Sequence, residues 1–172
     1  MRRLFFAAWP SPEVQQALGR VARDLKRECG GRAVPAGNIH LTLAFLGDVD
    51  PARLTHLESL AASIPARRFE LALDRTGCWL HNRIVWAGVE RCPEALRDLA
   101  GSLARALAAA GFRVEKRKYV PHVTLIRDAR RAPSRAAMPG VAWPVSRFAL
   151  VESVPGGRGR VYRVLREWPL GA

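Results

Sequence analysis

The apolar positions of the chain fall into short blocks whose period changes along its length. Residues 3–9, RLFFAAW, are almost continuously apolar and read as a first strand. Ser11-Pro12 then supplies an N-cap and a proline at the first helical position, opening a helix that runs to about Cys29 and stops at Gly30-Gly31. A strand carrying HLTLAFL (40–46) follows and ends at Gly47, and Asp50-Pro51 repeats the cap-and-proline signal for a helix through about Ser63. FELALDRTGCWL and NRIVWAGVE alternate apolar and polar residues, as two strands of a hairpin turning near His81-Asn82. Pro93 opens a third helix with Leu96, Leu99, Leu103 and Leu107 on one face and Gly111 as its stop. YVPHVTLIR is a further strand, residues 129–144 are rich in Pro, Arg and Ala and read as a loop, and FALVESV and RVYRVLREW pair around PGGRGR.

This order of elements predicts an α+β fold of two pseudo-symmetric lobes, each an antiparallel sheet flanked by helices, with a cleft between them. No linker separates independent units. Residues 1–172 are therefore expected to form one compact bilobal domain.

Two of the strands break the apolar pattern in the same way. In an extended chain residues i and i+2 share a face, so His40 and Thr42 project together while Leu41 and Leu43 point to a core. His122 and Thr124 repeat this with Val123 and Leu125 behind them. The chain has only four histidines and four threonines, so composition alone yields roughly 0.1 His-x-Thr by chance, and two, both followed by leucine, on the order of 0.0001. The pair is therefore a functional signal. His56, on a polar helix face, and His81, in the hairpin turn, have no partner motif and read as incidental.

Composition narrows what the pair could do. With 172 residues and 49% hydrophobic content the chain can bury a sizeable core and is not disordered. No apolar run approaches the roughly 20 residues that cross a bilayer, and MRRLFFAAWPSP is too short in apolar length for a signal peptide. A cytoplasmic protein without a membrane partner is expected. Cys29, Cys78 and Cys92 are odd in number and lack CxxC spacing, which fits reduced packing residues. The net charge of +13 favours phosphate-bearing ligands, nucleic acid among them. Because 25 of the 28 basic residues are arginine, and scattered, charge supports a phosphate ligand without establishing one.

Two imidazoles with ordinary pKa near 6.5 divide labour at neutral pH, one accepting a proton and the other donating one. A hydroxyl two residues along each strand would hydrogen-bond a nonbridging phosphate oxygen whose charge grows during attack. The set suits in-line displacement at phosphorus. A metal site would want carboxylates or thiolates close by, whereas the nearest acids, Asp48 and Asp128, lie beyond the expected strand ends, and HExxH, a P-loop and GxSxG are all missing. Catalysis without metal or cofactor is expected.

NIHLTLAFLGDV and YVPHVTLIRDA resemble the paired HxTx signatures of the two-histidine (2H) phosphoesterase superfamily, and within it the bacterial and archaeal RNA 2′,3′-cyclic phosphodiesterases, also called 2′-5′ RNA ligases. RLFFAAWP and VYRVLREWPL extend the likeness over almost the whole chain. The resemblance implies two lobes with one motif each, and metal-free hydrolysis of a 2′,3′-cyclic phosphate to a 2′-phosphomonoester. It implies His40 as proton donor to the leaving 3′ oxygen and His122 as the acceptor that activates water, with Thr42 and Thr124 on phosphate oxygens; the two motifs are too alike for the residues themselves to order donor and acceptor. Arg127 matches a basic residue that follows the family's second motif and would offset phosphate charge. Strict alternation puts it on the face opposite His122, so that role requires the strand to end or bulge first. Phe45 and Tyr119 are candidates to stack the terminal base.

The expected partner is RNA ending in a 2′,3′-cyclic phosphate, or a cyclic nucleotide, bound by a monomer with no obligate protein partner. Minor reverse ligation to a 2′-5′ linkage is a corollary. Two other readings remain: an RNA-end-binding module without turnover, and a sibling phosphodiesterase acting on 2′-5′ oligonucleotides or small cyclic phosphates.

Overall fold

A computed structural model describes residues 1–157 and 159–172. In chain order it contains β1 (Arg2–Ala8), α1 (Pro12–Cys29), β2 (Arg32–Ala33), β3 (Leu41–Val49), α2 (Leu54–Ala62), β4 (Phe69–Trp79), β5 (Ile84–Gly88), α3 (Glu94–Ala109), β6 (His122–Arg127), β7 (Ala137–Val145), β8 (Arg147–Gly156) and β9 (Gly159–Pro169). Short 3-10 turns at Ala36–Asn38 and Pro51–Arg53 lead into β3 and α2.

The helix signals act locally as expected. The Ser11 hydroxyl accepts from the Val14 amide, Pro12 opens α1, and Gly30, at φ 71°, closes it. The Asp50 carboxylate caps the turn before α2, accepting from the Ala52 amide at 2.9 Å. On α3, Leu96, Leu99, Leu103 and Leu107 are all fully buried.

The strands join into one nine-stranded sheet in the order β7-β4-β5-β6-β3-β1-β8-β9, with β2 on β6, and every named pair is antiparallel. Its two halves meet where β3 and β6 pair through Leu41 and Val123. The hairpins β4–β5 and β8–β9 are those the alternation predicts. Three details differ. Residues 137–145, expected as loop, form β7, an edge strand that tolerates Pro139 and Pro144 because one of its sides pairs with nothing. Arg32-Ala33 adds a two-residue strand, and β3 continues through Gly47 and Asp48 to Val49.

The helices cross between the halves of the chain. α1 packs behind β6 and β7, while α3 packs behind β3. Each motif strand is thus backed by the helix from the other half of the sequence. Behind the sheet a single apolar cluster runs through Leu18, Leu41, Leu99, Leu103, Val123 and Leu125. A small second cluster, Phe5, Ala7, Ala149 and Val151, lies on the other face of β1 and β8, with Trp9 and Tyr162 packed on it. Among the described residues no helix is long and apolar enough to cross a membrane.

Candidate active site

Leu41 pairs with Val123 across antiparallel strands, so the two motifs run past each other with a local twofold relationship. His40 stands just before β3 and His122 begins β6. Their side chains open on one cleft of about 1000 Å³, which is lined by His40, Thr42, His122 and Thr124 together. That volume lies at the upper end of typical ligand sites.

Both imidazoles are oriented by the same device. His40 Nδ1 lies 2.8 Å from the Asn38 carbonyl oxygen and His122 Nδ1 lies 2.9 Å from that of Val120. A carbonyl only accepts, so each Nδ1 carries the proton and each Nε2 is left to the cleft. His40 Nε2 is 3.1 Å from the Thr42 hydroxyl. Tyr119 steadies this pair from behind: its hydroxyl donates to the Thr42 carbonyl at 3.0 Å, and burial raises its pKa so that it remains a donor.

Aromatic rings surround each histidine. Trp9 stacks flat on His40 (centroids 4.9 Å apart, planes 9° apart), with Phe5 tilted at 5.1 Å and Tyr162 edge-on at 5.1 Å. Trp79 meets His122 at 4.5 Å in a T-shaped contact and packs on Trp86 at 5.7 Å. Trp86 itself lies flat across β4 and β5: a Cβ on Gly77 would come within 2.2 Å of its ring, and one on Gly88 within 2.8 Å. The two glycines make the slot that carries Trp86, and through it Trp79, toward His122.

Burial governs the protonation of the two histidines. Desolvation lowers the His40 pKa to about 4, opposed by the Asn38 carbonyl and aided by the charges of Arg127 and His122. Desolvation also lowers that of His122, less strongly opposed by Val120. Both imidazoles are neutral at pH 7 until an anion arrives.

Two bulges decide what else faces the cleft. Val85 pairs with Ile126 but Trp86 pairs with Thr124, so Leu125 is an extra residue in β6. Leu125 and Ile126 are consequently both buried, and Arg127 returns to the side of His122 and Thr124, lining the cleft. The bulge that the position of Arg127 requires is present. On β3, Phe6 pairs with Ala44 and Ala7 with Thr42, so Leu43 is the extra residue and Phe45 lines the same cleft as His40 and Thr42. The motifs are thus HxTxxF and HxTxxR, with Phe45 and Arg127 in equivalent places. Phe45 is 41% exposed, and Arg3 sits 4.9 Å over its ring. Tyr119 instead lines an adjoining cavity of about 480 Å³, which also holds Phe45, Trp79 and His122 in its walls.

Several residues of the site have no local signal in the sequence: Phe5, Tyr162 and Trp79 in the cleft and Trp9 stacked on His40, with Arg3, Arg32 and Arg160 along the walls. Among the described residues no Asp or Glu lines the cleft, and no three His, Cys, Asp or Glu side chains cluster as a metal site would need. His56 is exposed on α2, and His81 is exposed in the β4–β5 turn at the edge of the smaller cavity.

Residues 9–86 match the LigT like Phosphoesterase family, and residues 88–161 match it a second time, each stretch holding one His-x-Thr. The chain belongs to the LigT-like phosphoesterase family. It is 38% identical over 172 residues to the RNA 2′,3′-cyclic phosphodiesterase of Escherichia coli, covering 98% of this chain and 97% of that one. The protein of the same name from Thermus thermophilus is 32% identical over 185 residues, with 98% and 90% covered. Among solved structures, E. coli LigT complexed with 3′-AMP superposes with a TM-score of 0.89 at 35% identity, covering 98% of each chain. The MHV ns2 PDE domain shares the fold alone, at a TM-score of 0.60 and 13% identity over 87% of this chain and 98% of that one. The double match gives the twofold relationship of the motifs its origin: this phosphoesterase is built from two copies of one unit.

Proposed function

We propose that this phosphoesterase is an RNA 2′,3′-cyclic phosphodiesterase, hydrolysing cyclic phosphate ends to 2′-phosphomonoesters by acid-base catalysis between its two histidines. The observation that carries the reading is the pair of cleft-facing Nε2 atoms, each fixed by an Nδ1–H donated to a carbonyl two residues upstream and each accompanied by a threonine hydroxyl. The names of its relatives point to the same substrate.

In the reaction His122 Nε2 takes a proton from water, the water oxygen attacks phosphorus, the P–O3′ bond breaks, and His40 Nε2–H delivers its proton to O3′. One proton enters and one leaves, so exchange with solvent resets the pair. Thr42 and Thr124 donate to nonbridging oxygens and Arg127 offsets their growing charge. His40 must be charged for this, whereas burial favours its neutral form. The phosphodiester's own negative charge against Nε2 reverses that balance, and the face of Trp9, whose quadrupole favours a stacked cation, then supports the charged form. Phe45 stacks the terminal base, and Tyr119 holds Thr42 in place.

The chain works as a single unit, a monomer in the cytoplasm, and light scattering with a single cooperative unfolding transition tests the first two properties. The deciding experiment incubates EDTA-treated protein with adenosine 2′,3′-cyclic phosphate and with a short RNA ending in a cyclic phosphate. A 2′-phosphate product that disappears in His40→Ala and His122→Ala supports the reading; a 3′-phosphate product, or dependence on added metal, overturns it.

A further inference from the structure

One phosphate between two motifs uses Arg127, yet among the described residues the cleft carries three more arginines and no carboxylate. Arg32 is committed elsewhere, bound to Asp128 at 2.6 Å. Arg160, on β9, donates to the Ser153 hydroxyl at 2.8 Å and the Ser153 carbonyl at 2.7 Å, both neutral acceptors, so its charge is held in place without being cancelled. Arg3, on β1, lies over the Phe45 ring and has no carboxylate partner among the described residues. The backbone here is built around the pair. Ser153 is one of two buried polar side chains in the described core, and Asn38, two residues before His40, donates to the Arg160 carbonyl at 3.1 Å. That bond ties the β8–β9 hairpin to the segment that orients the donor histidine. Gly156, Gly157 and Gly159 of the hairpin also face the cleft, where any Cβ on Gly157 or Gly159 would meet open space, so a ligand has room to approach the main chain.

We propose that the wall formed by Arg3, Ser153 and Arg160 is a second phosphate subsite, which takes the phosphate attached to the 5′ oxygen of the nucleotide whose cyclic phosphate lies between the histidines. Two held but uncancelled guanidiniums in a cleft whose described lining has no carboxylate are what an anion at a second position requires. A volume of about 1000 Å³ leaves room for it beside the reacting group. The subsite makes the enzyme selective for nucleotides that carry a 5′-linked phosphate, as an RNA end does, over a bare cyclic nucleoside phosphate. This rests on the phosphodiesterase reading and goes beyond it.

The test compares kcat/KM for three molecules: adenosine 2′,3′-cyclic phosphate, its 5′-phosphorylated form, and the dinucleotide ApA ending in a cyclic phosphate. A dinucleotide whose linkage is a neutral methylphosphonate serves as the control on charge. The expected result is a preference for the 5′-linked phosphate of on the order of tenfold or more, which drops for the methylphosphonate and drops equally in Arg3→Gln and Arg160→Gln. In those variants the methylphosphonate should have no further effect, because charge and partner have been removed together. The ratio between substrates is read, so a variant that weakens the fold and lowers all rates alike does not mimic the effect. Gain with the 5′-phosphate alone assigns the subsite to small nucleotides as well as RNA, and gain only with the dinucleotide assigns it to a chain. A ratio near one, or a preference insensitive to the methylphosphonate and to both variants, overturns the proposal. If the wild type turns over neither class, the phosphodiesterase reading fails instead, and the same ratios are then taken from Kd, with the same outcomes deciding the subsite.

Discussion

Leu41 and Val123 face each other at the one register position where β3 and β6 pair, and both are fully buried. The residues on either side of them are the four that carry the chemistry, so the spacing between the two histidines is set by an apolar contact that the substrate never touches. Truncating Leu41 to alanine should cost about 2–5 kcal/mol, as core leucines do. It should also lower kcat/KM by tenfold or more, because small displacements of reacting groups are expensive. Urea unfolding and steady-state kinetics on one preparation check both, and full activity in a destabilised variant would show that the crossing does not set the site.

His40→Ala and His122→Ala should each lose on the order of 10²–10⁴ in kcat. Because the two act on the same step, the double variant should lose little more than the worse single one. Thr42→Val and Thr124→Val should cost about 10²-fold in kcat with smaller effects on KM, the mark of contacts that strengthen in the transition state. Additive losses across the two histidines would contradict a concerted pair.

The pH dependence follows from burial. Both histidines titrate below their ordinary value in the empty cleft, His40 near 4, so the limbs of the kcat/KM profile, which report the free enzyme, should lie below about 6.5. Bound phosphate favours the charged imidazolium, so the kcat profile should sit higher. Stability has the opposite slope from that of a salt-bridged histidine. The folded state holds His40 neutral, its contribution is complete above pH 6.5, and up to about 3 kcal/mol is lost as pH falls toward 4. Denaturation midpoints between pH 7 and 4 should therefore fall less in His40→Gln than in wild type.

The motifs were legible because two histidines and two threonines interrupt otherwise apolar strands in the same way. The third member of each set was harder to see. In HVTLIR the adjacent Leu125 and Ile126 break strict alternation, and this doubled apolar step is the local trace of the bulge that turns Arg127 toward the cleft. In HLTLAFL the run after Thr42 is apolar throughout, and nothing within it separates Phe45, which is exposed, from Leu46, which is buried. The aromatic cage was silent for a related reason. β1 is covered on both faces, so Phe5, and Trp9 just beyond its end, look like core until the neighbours β3 and β8 decide which face holds His40. The prolines of β7 argue against a central strand, and β7 is an edge.

Phe45 and Arg127 occupy equivalent positions in the two copies of the unit, yet one is an aromatic face and the other a charge. The twofold relationship of the histidines is thereby broken at the third residue, and the substrate's orientation has a physical cause. The base belongs with the ring on β3, and the developing phosphate charge with the guanidinium on β6. Phe45→Ala should raise KM by about tenfold with kcat nearly preserved, since stacking contributes about 1–3 kcal/mol to ground state and transition state alike. Arg127→Gln should instead lower kcat, by about 10²-fold, and Arg127→Lys should recover only part of it because a point charge cannot reproduce the planar fork. The two variants combined should multiply, the residues touching different parts of one ligand. If Phe45→Ala lowers kcat while leaving KM alone, the ring is not a base platform, and the orientation of the substrate must come from the Arg3 and Arg160 wall.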